Sequence, residues 1–223
     1  MSNSIPEDTA DTADASPGLT GRNAARTRQA IIEAATDEFA ALGLGGARID
    51  AIAARAGLNK RLLYYYFGNK EALFQAVLER AYENIRSAER ALQLDEIDPV
   101  EAIRRLVSFT WHYYITHPEF LTLLNSENLH QAAHLKNSAQ IQAMNSPLIQ
   151  TLDQVLERGR AAGLFRGGVD PLQLYISIAA LSFFYLSNRH TLSVVFGRDL
   201  QSPKAEAERL SHMTELVLGY VLR

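Results

Sequence analysis

No cysteine occurs among the 223 residues, which excludes disulfides, thiolate metal sites and cysteine nucleophiles. Long apolar runs are missing too. The greasiest stretch, "LYISIAALSFFYLSNRH" at 174–190, is broken by Ser177, Ser182, Ser187 and Asn188, short of the ~18 uninterrupted residues of a membrane span. The first twenty residues lack the cationic start and apolar segment of a secretory signal or organelle presequence, so a cytoplasmic protein with no membrane partner is the expectation. No segment alternates with period two for long enough to make a strand. A Gly-rich phosphate loop, a nucleophile elbow and "HExxH" are likewise absent. An enzyme is therefore not expected, a small helical enzyme is a remote alternative, and no cofactor is called for.

What remains is an ordinary globular composition, 47% hydrophobic and 21% charged, whose charge is unevenly spread. Residues 1–20 hold four carboxylates and no cation; residues 21–80 hold nine cations against six carboxylates; the rest holds thirteen against fifteen. Only the middle segment is basic, a hint of a polyanionic partner. Residues 1–21, acidic and with little to bury, read as a disordered arm.

Beyond the arm an all-α chain of about nine helices is expected. Ile32, Ala35, Phe39 and Leu42 recur at helical spacing before "GLGG" at 43–46. Ile49, Ile52, Ala53 and Ala56 line a short second helix ended by Gly57. Asn59 caps a third, with Leu63 and Phe67 inward, and Asn69 caps a long helix reaching toward residue 93. Asp98-Pro99, Ser146-Pro147, Asp170-Pro171 and Ser202-Pro203 share one start signal, a capping side chain before a proline. They predict helices over 99–116, 147–162, 171–188 and 203–222, with another after His117-Pro118 and a connection at "TLSVVF", 191–196.

The two short helices joined by "AGLN" form a helix-turn-helix pattern. Lys60, Arg61, Tyr64 and Tyr65 share an outward arc suited to base edges and phosphates, while Tyr66 divides between packing and backbone contact. Residues 26–78, "RTRQAIIEAATDEFAALGLGGARIDAIAARAGLNKRLLYYYFGNKEALFQAVL", resemble the DNA-binding domain of the TetR family of bacterial repressors. The resemblance implies a three-helix DNA-binding domain over 22–68 and an effector-binding and dimerisation domain over 69–223. It implies that Tyr64 and Lys70 hold phosphates, that Lys60, Arg61, Leu62, Tyr65 and Tyr66 face the major groove, and that Asn59 caps the reading helix. Arg48 stands where threonine is usual and adds a phosphate contact; Leu62 replaces a small polar residue and favours a thymine methyl.

The C-terminal part has its own logic. The helix from 171 is apolar all round and needs cover on two faces, which a second subunit packed about a two-fold axis supplies. Tyr175, Ala179, Phe184, Leu210, Met213, Val217 and Tyr220 are the expected homodimer contacts. Trp111, Tyr114, Phe120, Leu124, Glu127, Asn128, His130 and Phe183 are the candidate lining of a small-molecule effector site, apolar walls with a few polar groups. Glu127, His130 and His134, at i, i+3 and i+7, leave a metal-responsive regulator as the alternative. Taken together, a repressor released from operator DNA by an unidentified effector is expected.

Overall fold

The structure, a computed structural model, describes residues 21–223; the arm expected at 1–21 lies outside them apart from Gly21. Among the described residues nine α-helices follow one another: α1 (Gly21–Gly46), α2 (Ile49–Ala56), α3 (Lys60–Phe67), α4 (Lys70–Arg90), α5 (Pro99–Thr116), α6 (Pro118–Leu129), α7 (Ala139–Ala161), α8 (Pro171–Phe196) and α9 (Pro203–Val221). A single 3-10 turn at Leu135–Asn137 precedes α7, and the only extended pairing among these residues is an isolated bridge between Phe165 and Leu222. The all-α expectation holds.

Most helix starts carry the caps read from the sequence. Asn59 accepts from the Arg61 amide at 2.9 Å and Asn69 from Ala72 at 2.7 Å. Asp98 accepts from both Val100 and Glu101, and Asp170 from Gln173. Each bond satisfies an amide that the first helical turn leaves without a partner. Two boundaries differ from expectation. Ser146-Pro147 starts no helix: Ser138 caps α7 through the Ile141 amide, and Pro147 sits inside the helix. The residues 191–196 are no connection either, because α8 runs through them to Phe196 and stops only where Gly197 turns left-handed.

Two hydrophobic cores result. The N-terminal one gathers Ile31, Ala35 and Phe39 of α1, Ile52 and Ala53 of α2 and Leu63 of α3. It extends past the boundary expected at Gly68, taking in Leu73, Phe74, Val77 and Leu78 from the first half of α4, and Leu123 from α6. The C-terminal core begins with Ile85 in the second half of α4 and includes Ile103, Trp111, Phe120, Val155, Ile178 and Val217. Helices α4 and α6 therefore belong to both. Leu42, expected on the packed face of α1, points outward; α1 kinks at Gly43 and buries Leu44 instead.

Several expected dimer contacts lie inside the chain. Met213 and Val217 are buried, 1% and 4% exposed, on the face of α9 that packs into the C-terminal core. Tyr175 and Ala179 line a cleft that opens to the surface beside Leu172 and Ile176, and Leu210 packs partly against the same core. Phe184 (60% exposed) and Tyr220 remain outward, together with Leu172, Ile176 and Leu216. The periodicity found an apolar stripe without telling which neighbour covers it.

The chain end is clasped to the α7–α8 connection: Arg166 donates to the Val221 carbonyl at 2.9 Å and Arg223 to that of Leu164 at 3.1 Å. This seats the buried Phe165 ring over Gly159, where a Cβ would lie 2.0 Å from the ring. Gly159→Ala should therefore destabilise the fold by about 1–3 kcal/mol through overpacking, despite the better helix propensity of alanine. Urea unfolding checks this; an unchanged or raised midpoint would contradict it.

Candidate DNA interface and effector cavity

Helices α2 and α3 meet across a turn in which Gly57 takes φ 66°, a left-handed conformation that a side chain would strain. The inward faces are pinned by Ile52, Ala53 and Leu63. Outside, Arg55 of α2 lies 3.4 Å from Asp37 and 4.0 Å from Glu38 of α1, holding the pair on α1. With its core side sealed, α3 presents Lys60, Arg61, Tyr64 and Tyr65 as exposed residues, and Leu62 and Tyr66 as half-exposed ones.

Individual side chains are less free than their spacing implied. Lys60 is ion-paired with Asp50 of α2 at 2.8 Å, and this neighbour holds the Asp50 carboxyl below the usual carboxylate range. Lys70 donates to the Ala47 carbonyl at 2.9 Å, so its ammonium fastens the start of α4 to the end of α1 while keeping further hydrogens to donate. Asn59 spends its side-chain oxygen on the cap. Tyr66 packs against the N-terminal core, edge-on to Tyr65 at 5.3 Å. Arg48 is exposed and makes no capping bond through its side chain; its amide donates to Glu38. Arg28 over the Phe67 ring, 5.1 Å from its centroid, joins α1 to the end of α3, a contact with no signal in helical spacing.

In the C-terminal part a cavity of about 320 Å³ opens between five helices. Tyr82 and Arg86 come from α4, Tyr114 from α5, Phe120 and Leu124 from α6, Leu148 and Ile149 from α7, and Leu172, Tyr175, Ile176 and Ala179 from α8. Of the expected effector residues, Tyr114, Phe120 and Leu124 line it. Trp111 is core, packed edge-on to Tyr185; Asn128 and His130 are on the exposed surface; Phe183 packs beside the core away from this lining.

Glu127 is also elsewhere. It is 2% exposed, and its carboxylate accepts from the amides of His134 at 2.9 Å and Leu135 at 3.0 Å and pairs with His134 Nδ1 at 2.7 Å. The helical spacing that joined Glu127 to His130 and His134 fails because α6 ends at Leu129 and the chain doubles back through Gln131 and Ala132 at φ 56° and 58°. His130 Nδ1 is turned to the Ser126 carbonyl. Among the described residues no group of three potential ligands is placed to hold a metal ion, and the Glu127 carboxylate is taken up by His134 and two amides, which speaks against the metal-responsive alternative. Glu127 is a clamp for the segment between α6 and α7.

The charge that does reach the cavity was missed. Arg86 and Glu89 form a buried ion pair on the otherwise apolar stripe of α4, and Arg86 Nη2 donates to the Tyr175 hydroxyl at 2.8 Å. Burial pushes the hydroxyls of Tyr82, Tyr114 and Tyr175 up, so all three stay protonated at neutral pH. Burial also raises Glu89, against the opposing pull of Arg86. The signal was available: Arg86 and Glu89 stand four and seven positions after Tyr82, on the face that continues Leu78, Tyr82 and Ile85.

Helix α6 joins cavity and head. Ser126 Oγ accepts from the Leu44 amide, His134 lies edge-on to Phe74 at 5.1 Å, and Ser138 donates to Glu79 at 2.8 Å. An exposed turn-helix head on a helical body with an apolar cleft between its helices is the architecture of a DNA-binding transcriptional regulator.

Related proteins make this specific. Residues 31–77 match the model of bacterial regulatory proteins of the tetR family, and residues 99–217 that of the tetracyclin repressor-like C-terminal domain. Over 201 residues, 90% of this chain and 95% of the relative, it is 43% identical to the HTH-type transcriptional repressor NicS of Pseudomonas putida. It is 37% identical to the HTH-type transcriptional repressor SCO4008 of Streptomyces coelicolor over 142 residues, 63% of this chain and 70% of that one. The crystal structure of the transcriptional regulator SCO4942 from Streptomyces coelicolor superposes with TM-score 0.65 at 24% identity, over 87% of this chain and 98% of that one. The chain belongs to the TetR family of transcriptional regulators.

Replacing Glu127 by Gln removes the carboxylate that holds two amides and His134. Glu127→Gln should lower the stability by about 1–3 kcal/mol with or without chelator or added small molecules. Thermal melts check it; an unchanged melting temperature would contradict the clamp.

Proposed function

We propose that the protein is a homodimeric repressor that reads operator DNA with α3 and is released when a small molecule fills the cavity between α4 and α8. The observation that carries the reading is α6: it lines the cavity with Phe120 and Leu124 and enters the core of the DNA-binding head with Leu123. Filling the cavity displaces α6, and the head moves with it. Coupling of this kind is reciprocal, so operator DNA lowers effector affinity by the factor by which effector lowers operator affinity. The repressor sense is supported by the name of the 43% identical relative.

In this reading Arg61 and Leu62 meet base edges, Tyr65 and Tyr66 flank them, and Tyr64 and Lys70 approach phosphates with Arg48 at the rim. Lys60 reaches DNA by exchanging Asp50 for a phosphate or base. The second subunit covers the outward apolar residues of α8 and α9, Phe184 and Tyr220 among them. No helix among the described residues is long and apolar enough to cross a membrane, which accords with work on DNA in the cytoplasm.

Binding sites selected from random oligonucleotides, followed by release assays on the selected DNA, test the whole proposal. Arg61→Ala should relax preference at one base pair by roughly 1–3 kcal/mol, whereas Lys70→Ala should weaken all sequences and lower the salt slope by about one unit. Equal losses on selected and random DNA for Arg61→Ala would remove it from base reading. A charge at the exposed Phe184, as Phe184→Glu, should yield helical monomers in sedimentation equilibrium; persistent dimers would place the interface elsewhere.

A further inference from the structure

The cavity also indicates what fills it. We infer that the effector is a small, flat monocarboxylate whose acid group docks on Arg86; this rests on the reading of the cavity as the effector site.

The Arg86 side chain is 6% exposed and lines the cavity wall, yet its Nε has no hydrogen-bond partner among the described residues. The three guanidinium nitrogens are used unequally. Nη1 holds Glu89, Nη2 holds the Tyr175 hydroxyl, and Nε holds nothing. Nε and Nη2 form one edge of the guanidinium, and a carboxylate takes such an edge with two parallel bonds. Tyr175 thus engages one half of a two-point edge, and the other half, the buried Nε, has no protein partner among the described residues. A neutral acceptor or a hydroxyl takes one of these bonds, as Tyr175 does; a carboxylate takes both, which requires it to displace the Tyr175 hydroxyl from Nη2 and to part the side chains that cover Nε.

Glu89 determines how such an acid binds. Within the protein it neutralises the guanidinium and holds its plane, so the cation tolerates burial. With an acid bound, two carboxylates share one cation. The second is tolerable because the Tyr82 and Tyr114 hydroxyls, both on the cavity lining, have no protein hydrogen-bond partner among the described residues and stay protonated as donors. The walls set the shape. Phe120 packs against the Tyr82 ring at 5.7 Å and the Tyr114 ring at 5.8 Å, and Tyr175 of α8 lines the same cavity, so an aromatic wall is available to a ring-bearing ligand. A volume of about 320 Å³ is at the small end for ligand sites, which favours a molecule of one or two rings.

The test compares acids with their primary amides, which keep the shape and lose the charge: benzoate and benzamide, cinnamate and cinnamamide, 2-naphthoate and 2-naphthamide. Calorimetry on the full-length protein without DNA should show at least one acid binding at least about tenfold tighter than its amide. Arg86→Met should abolish that preference. Because this variant leaves Glu89 buried and can unfold, Glu89→Gln is the second probe: it removes the competing charge, and the preference for the acid should grow. Amides that match their acids, a preference unmoved by Glu89→Gln, or no binding by any pair would overturn the inference. Acids that bind through Arg86 without releasing operator DNA would overturn the effector reading and leave this site assignment standing. Release of DNA by compounds indifferent to Arg86 would do the reverse.

Discussion

A helix of twelve residues is built into two hydrophobic cores at once, and the joining of head to body rests on that packing. Residues 120 and 124 of α6 fall on one row of the helix, residues 123 and 127 on the next. The first row faces the cavity and the second faces the DNA-binding head or the segment that braces it. Close-packed interiors do not absorb displacement; they pass it on. Helix α4 is shared in the same way, its first half in one core and its second half in the other, so two helices connect head and body.

Two buried charges illustrate opposite solutions to one problem. A carboxylate removed from water must be fully bonded, and Glu127 is: two amides and a histidine ring surround it. Arg86 is compensated in charge by Glu89 but not in hydrogen bonds, since one donor stays without a partner. The saturated group organises the backbone around it and has nothing left to offer. The unsaturated group has capacity to spare on the wall of a cavity. The two groups differ in how many of their bonds the protein supplies and not in the fact of being charged.

Much of this was legible in the sequence where the signals are local. Asn59, Asn69, Asp98 and Asp170 cap the helices they were read to cap, because a cap acts within three residues of itself. The three-helix head follows from Gly57, Leu63 and the spacing around them. Local signals also mislead: Ser146-Pro147 has the form of a helix start, but Ser138 begins the helix earlier and the chain continues through the proline. Longer-range facts were out of reach. The sequence showed that Glu127 needed a partner, yet the two positive φ angles that bring His134 back to it break the helical spacing on which the reading relied. Met213 and Val217 were rightly read as apolar and wrongly assigned to a neighbour, since periodicity defines a face and not what covers it. Of the cavity, Tyr114, Phe120 and Leu124 were found through the aromatic density of one segment. Arg86 and Tyr175 come from distant helices that only the folded chain brings together.

Pro147 has one more consequence. Proline has no amide hydrogen, so α7 lacks a rung of its hydrogen-bond ladder immediately before Leu148. Leu148 lines the main cavity and also a smaller one of about 210 Å³ beside Arg90 and Asp95, and so stands between them. The partition between the two chambers is therefore carried by backbone that opens at lower cost than an unbroken helix. Movement of Leu148 at this point would alter both cavities at once, because its side chain belongs to the wall of each.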